Sequence, residues 1–283
     1  MIRKLKIILE MIKFEHTVFA LPFAIMSAFI ASNGIPPFAK LGWILVAMVG
    51  ARSCAMAYNR LADSQIDSQN PRTSTRAIPA GLITKGSVWL FTIISAGLLV
   101  IAAWQLNPLA LALSPVALAV IMGYSYTKRF TSLSHFWLGL ALSISPVGAW
   151  IAITGRFDWT PIILCGVVLL WTAGFDIIYA CQDINFDRKH GLYSIPARIG
   201  IRWSLWISST LHVVAVLLLF AIPLLTELGL FYYIGVGIVV LIFIYEHAIV
   251  KPDDLSRVNL AFFTLNGMIS LVLMALSITD ILL

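Results

Sequence analysis

Charge is scarce in this chain: Asp, Glu, Lys and Arg make up 11% of 283 residues, against about a quarter in an ordinary soluble domain. Hydrophobic residues make up 60%, more apolar surface than a water-soluble fold of this length can hide. Alternating short strands are missing, which excludes a transmembrane β-barrel. Cysteine is rare, and the spacing of Cys54, Cys165 and Cys181 fits neither a zinc site nor a disulfide framework. Each falls in or at the end of an apolar run and reads as a small buried hydrophobe. No polar segment combines a basic patch with interleaved stacking aromatics, so no nucleic-acid partner is expected. The first fourteen residues are basic but lead to no small-residue cleavage site, so no signal peptide is expected.

What the chain has instead is long apolar runs, at roughly 17–32, 41–61, 86–105, 108–125, 134–153, 159–180, 204–226, 229–250 and 260–282. Spanning a bilayer takes about 20 such residues per helix. The expected fold is an all-α polytopic membrane protein, a single domain over 1–283 with about nine transmembrane helices around a central cavity. Asn33-Gly34 with Pro36-Pro37, Asn107-Pro108 and Thr154-Gly155 punctuate the runs. With the N-terminus in the cytoplasm, sixteen of the nineteen Lys and Arg fall in cytoplasmic segments, only Lys40 and Arg156 lie opposite, and Arg52 sits inside a helix. Positive residues stay inside, so the net charge of +6 records topology. The expected location is the bacterial inner membrane, with the two long polar segments, roughly 62–85 and 181–203, facing the cytoplasm.

Those two segments hold the chemistry. Asn59, Asp63 and Asp67 recur every four residues, and so do Tyr179, Asp183 and Asp187. Residues four apart share a helix face, so each set reads as a ladder of oxygen ligands at a helix end. The ladders are offset by 120 positions, which hints at an internal repeat. Stacked carboxylates call for a cation, and oxygen ligands of this kind suit Mg²⁺, which completes its shell with substrate phosphate oxygens. Arg72, Arg76, Lys128 and Arg129 stand in neighbouring cytoplasmic loops. Arg offers phosphate a planar fork and Lys a point charge. Two acidic ladders with a basic collar at a membrane surface describe a site for a metal-bound diphosphate carried on a lipid tail.

Asn59-x-x-x-Asp63-x-x-x-Asp67, followed by Asn70-Pro71-Arg72-Thr73 and Arg76, resembles the first signature of the UbiA superfamily of intramembrane prenyltransferases. Asp176-x-x-Tyr179-Ala180-x-x-Asp183-x-x-x-Asp187, followed by Gly191 and Ser194-Ile195-Pro196, resembles the second, and Tyr124 to Arg129 the basic loop between them. Arg60 departs from the pattern, since many members carry Asp directly after the Asn. The resemblance implies Mg²⁺ held by Asn59, Asp63, Asp67, Asp183 and Asp187, and a polyprenyl diphosphate donor gripped through Arg72, Arg76, Lys128 and Arg129. Arg72, Arg76 and Lys128 would neutralise the leaving diphosphate, and the allylic cation would attack an aromatic ring ortho to a hydroxyl. Asp176 would accept a proton from the acceptor or orient it, with Tyr179 beside it.

Arg52 lies seven residues before Asn59, two helical turns, hence nearly on the same face and about 10 Å deeper. A charge inside a spanning helix is expensive and marks function by default. A carboxylate on the acceptor is its natural partner, and pairing with Asp176 is the structural alternative. Lys13-Phe14-Glu15-His16-Thr17-Val18-Phe19-Ala20-Leu21-Pro22 and Ala51-Arg52-Ser53 resemble bacterial 4-hydroxybenzoate polyprenyltransferases, and relatives that prenylate a dihydroxynaphthoate for menaquinone. Both acceptors carry a carboxylate. A transporter would need ionisable residues near the midplane among broken helices, whereas most acids here lie at helix ends. A CDP-alcohol phosphotransferase needs an Asp-Gly pair that this chain lacks.

Overall fold

The computed structural model describes residues 7, 8, 10, 11 and 19–283; Lys13 to Val18, with Glu15 and His16, lie outside the described residues. In chain order the helices are α1 (Leu21–Ser32), α2 (Phe38–Ala62), α3 (Ser64–Gln69), α4 (Lys85–Leu106), α5 (Pro108–Thr127) and α6 (Ser134–Thr154). There follow α7 (Trp159–Ala180), α8 (Ile184–His190), α9 (Ile195–Ile199), α10 (Ile201–Ala221), α11 (Leu230–Ile249) and α12 (Asn266–Leu282). Among the described residues eight helical stretches are long and apolar enough to cross a bilayer, and α1 is a shorter apolar helix. The described residues contain no named strand, only an isolated Lys251–Asp254 bridge. This is an integral membrane protein with the expected all-helical fold.

Local chemistry sets the turns. Asn33 takes a left-handed φ of 43° and Gly155 one of 71°, closing α1 and α6, as residues with little or no steric cost there can. Asn107 alone separates α4 from α5. Its side chain accepts a bond from the Ala110 amide at 2.9 Å, and Pro108 occupies the first helical position, where no amide is needed.

Lipid offers no hydrophobic drive between helices, so close backbone approach at small residues carries the packing. A Cβ on Gly50 of α2 would sit 2.8 Å from the Leu99 nitrogen and 2.9 Å from the Ser95 oxygen of α4. A Cβ on Gly139 of α6 would collide with the Leu169 carbonyl of α7. One side of the bundle is filled: Phe19, Phe23, Trp171, Phe175, Tyr232 and Phe243 form a buried core among α1, α7, α10, α11 and α12. The Phe23 and Trp171 rings stand 5.1 Å apart. The other side, among α2, α4, α5 and α6, encloses an apolar cavity of about 380 Å³.

Both acidic ladders bend where a continuous helix was expected. α2 stops at Ala62, and Asp63 takes φ −89°, ψ 0° before α3 begins. α7 stops at Ala180, a 3-10 turn covers Cys181–Asp183, and Asp183 takes φ −100°, ψ 6° before α8. The two segments thus share one local design: a spanning helix, an Asp in the bridge region, and a short helix turning away.

Candidate active site

The ends of α2, α5 and α7 meet around a polar chamber of about 190 Å³. Its walls include Asn59, Asp63 and Asp67 from the first ladder, and Tyr179, Asp183 and Asp187 from the second. Arg72, Arg76, Lys128 and Asp176 line it too. Residues more than a hundred positions apart are therefore brought to one space, as the matched spacing of the ladders anticipates.

Three of its carboxylates are paired with basic side chains. The Lys128 ammonium donates to Asp63 Oδ2 at 2.7 Å, and that carboxylate is nearly sealed, with 3% of its side chain exposed. Asn59 Nδ2 reaches the same oxygen at 3.1 Å. Arg76 Nη1 contacts both oxygens of Asp67, at 2.7 and 2.8 Å. Arg72 forms a fork on Asp183, with Nε 3.0 Å from Oδ1 and Nη2 on Oδ2, while its Nη1 donates to the Tyr179 hydroxyl at 2.9 Å. Burial opposes the charge on Arg72, but its hydrogen bonds and ion pairing with Asp183 outweigh this and push the guanidinium above its ordinary pKa. Asp187 accepts from the Ser194 hydroxyl at 2.8 Å. Arg129 stays with the end of α2, donating to the Ala62 carbonyl at 2.6 Å and standing 3.5 Å from Asp63 Oδ1, and does not line the chamber.

Asp176 has a partner that the sequence did not disclose. His135, only 3% exposed, sits with Nδ1 2.7 Å from Asp176 Oδ2. Its Nε2 accepts the Ile195 amide at 3.3 Å. A nitrogen that accepts carries no proton, so the proton of neutral His135 is on Nδ1 and is donated to Asp176. Ile195 directly follows Ser194, so one short segment secures both Asp187 and the His135–Asp176 pair. No spacing rule flags a single His 41 residues from its carboxylate.

Arg52 does not pair with Asp176. It lines the apolar cavity, two turns from Asn59 along α2. That cavity runs along α2 from Asn59 to Ile44, about 22 Å at the helical rise. It shares Asn59 and Tyr124 with the polar chamber, so the two spaces adjoin. The depth reading of the sequence also missed Glu246, fully buried on α11, where Asn266 Nδ2 lies 3.4 Å from its Oε1.

Among the described residues no three His, Cys, Asp or Glu side chains gather closely enough to hold a metal ion by themselves. The donor set nevertheless suits a hard cation. Asp63 Oδ1 is buried and accepts no hydrogen bond, and carboxylate and amide oxygens surround the chamber. Mg²⁺ needs only one or two protein carboxylates when phosphate oxygens and water complete its shell.

Known proteins share this layout. A UbiA homolog from Aeropyrum pernix superposes with a TM-score of 0.86 at 34% identity, covering 95% of this chain and 98% of its own. A UbiA homolog from Archaeoglobus fulgidus bound to DMAPP and Mg²⁺ shares the fold, with a TM-score of 0.76 at 20% identity over 97% and 98% of the two chains. A 4-hydroxybenzoate octaprenyltransferase from Vibrio cholerae is 31% identical over 84% of this chain and 83% of its own length. The model of the UbiA prenyltransferase family matches residues 20–268, nearly the whole described bundle and every residue of the chamber. The chain belongs to the UbiA prenyltransferase family.

Proposed function

We propose that this prenyltransferase moves a polyprenyl group from polyprenyl diphosphate to the ring of 4-hydroxybenzoate, in ubiquinone-type quinone synthesis. The observation that carries the reading is the adjoining pair of spaces: a polar chamber lined by carboxylates and basic side chains that meets, at Asn59 and Tyr124, a long apolar cavity lined in part by Arg52. A diphosphate head, an isoprenoid tail and an aromatic carboxylate each find a matching surface. The Vibrio relative is named for 4-hydroxybenzoate, and the Archaeoglobus neighbour for DMAPP and Mg²⁺.

In this reading Asn59, Asp63, Asp67, Asp183 and Asp187 are the residues that hold Mg²⁺. Bound there, the ion supplies positive charge to the diphosphate oxygens. Arg72, Arg76 and Lys128, each already poised on a carboxylate, take up the anionic charge as the C1–O bond breaks and its electron pair leaves with the diphosphate. Fixed charges aimed at a developing anion are commonly the largest catalytic contribution. Arg129, behind Asp63, supports the same field. The ring carbon ortho to the hydroxyl forms the new bond to C1, and one proton must leave the acceptor. Asp176, held by His135, receives it. Arg52 binds the acceptor carboxylate, and Tyr179 lines the acceptor's side of the chamber. The chamber faces the cytoplasm of a bacterial inner membrane, following the distribution of Lys and Arg.

The test is a transfer assay on purified protein with labelled polyprenyl diphosphate, Mg²⁺ and each acceptor in turn. Labelled 4-hydroxybenzoate product is the expected result. Product with a dihydroxynaphthoate alone would move the enzyme to menaquinone synthesis, since Arg52 meets either carboxylate. No aromatic product with either would sink the acceptor assignment.

A further inference from the structure

Arg60 lines the polar chamber and is 7% exposed. Every carboxylate that shares an ion pair in that chamber shares it with another base, Asp63 with Lys128 and Arg129, Asp67 with Arg76 and Asp183 with Arg72, while Asp176 is held by His135 and Asp187 by the Ser194 hydroxyl. Among the described residues Arg60 has no carboxylate within ion-pair reach. Its hydrogen bonds are two, Nε to the Met11 carbonyl and Nη1 to Asn59 Oδ1, both at 3.5 Å, the far edge of useful range. The charged groups that act on it are Arg76, Asp67, Asp63 and Arg52. Two of these are cations, and both acids are already engaged.

A guanidinium carries five N–H donors and never gives up its charge. Burying one without a close anion costs several kcal/mol, which a fold tolerates only if something offsets it. Uncommitted donors on a sealed cation, in the wall of a chamber whose other cations are each engaged with a carboxylate, define a site for an incoming anion. A diphosphate is the anion that matches planar, bidentate recognition.

We propose that Arg60 is a direct ligand of the donor's diphosphate, a protein-borne cation at the position where the first ladder departs from the acidic pattern. The inference rests on the prenyl-diphosphate reading of the chamber. It gives the head group one fixed positive charge within the wall of the chamber.

Inorganic pyrophosphate with Mg²⁺, titrated onto the full-length protein in detergent by calorimetry and by thermal shift, tests this. Wild type should bind and be stabilised. Arg60→Met keeps the side-chain volume, removes the charge, and should bind pyrophosphate roughly 30-fold or more weakly. Its ligand-free unfolding temperature should equal or exceed that of wild type, because a buried charge without a close anion has been removed. Arg60→Lys restores the charge without the fork and should recover part of the affinity. In steady state the donor KM should rise in Arg60→Met while the acceptor KM holds. Equal pyrophosphate affinity in wild type and Arg60→Met would overturn the proposal. So would a Lys variant as weak as the Met variant, because charge would then not be what matters. A wild type that ignores pyrophosphate would instead remove the diphosphate reading of the chamber, and this inference with it.

Discussion

Lys128 and Asp63 offer a way to separate what a charge does for the fold from what it does for the reaction. Lys128→Met removes the ammonium that lies 2.7 Å from Asp63 Oδ2. Asp63 keeps Asn59 at 3.1 Å and Arg129 at 3.5 Å. Breaking a buried pair costs about 3–5 kcal/mol, and an exposed one about 0–1 kcal/mol. The carboxylate here is 3% exposed and the ammonium 34%, so the expected loss is intermediate, about 2 kcal/mol. Asp63→Asn in the same chain removes the stranded charge, and the double variant should regain most of that loss. Turnover should behave differently. Lys128→Met should lower kcat by about 100-fold, the cost of one charge-stabilising group, and the double variant should be no better. Denaturant titrations in micelles give the stability, and transfer assays give the rate. Strict additivity of the two stability changes would show that the pair is uncoupled. Full turnover in Lys128→Met would remove the lysine from the chemistry.

Arg52→Leu should raise the acceptor KM roughly 30-fold or more, as loss of one partner of a buried charge pair does, and leave donor KM nearly unchanged; steady-state kinetics with each substrate varied would show the reverse if Arg52 serves the diphosphate. Asp183→Ala, or excess chelator on wild type, should abolish transfer while circular dichroism stays helical, and activity surviving either would dismiss the metal ladder. His135→Leu should lower kcat at unchanged donor KM, with partial rescue in His135→Asn, whose amide can still donate to Asp176; equal rates in both variants would limit His135 to packing. A reporter fused after Leu283 should be active only outside the cytoplasm, and cytoplasmic activity would show that the number of spans is not odd.

The spans were legible because hydropathy alone decides them in lipid, and their observed ends fall within a few residues of the apolar runs. The site was legible because two four-residue repeats of oxygen ligands are rare in so apolar a chain. The partners were less so. Nothing in the spacing says that Lys128 belongs to Asp63, Arg76 to Asp67 or Arg72 to Asp183; those pairings come from how α2, α5 and α7 end together. The bend at Asp63 keeps the four-residue rhythm, since the Asp67 amide still bonds the Asp63 carbonyl at 2.8 Å, so periodicity reads straight through it. His135 and Glu246 gave no local signal, and Asn70, which lies 3.4 Å from Asp183, showed only as part of the first signature. Each is a single polar residue whose meaning rests on a tertiary neighbour. Arg60 was visible only as an oddity of pattern, and its burial in the chamber wall gives that oddity a physical sense.

The central claim is that the donor's diphosphate lies in the polar chamber with its tail along the apolar cavity. A structure of the protein with Mg²⁺ and a polyprenyl S-thiolodiphosphate, which resists ionisation, tests it most directly. Both phosphorus atoms should lie among Asp63, Asp183, Arg72 and Lys128, with the first isoprene units passing Asn59 and Tyr124 toward Ile44. A diphosphate bound outside that chamber, or a tail running along the filled side of the bundle past Trp171, would contradict the account.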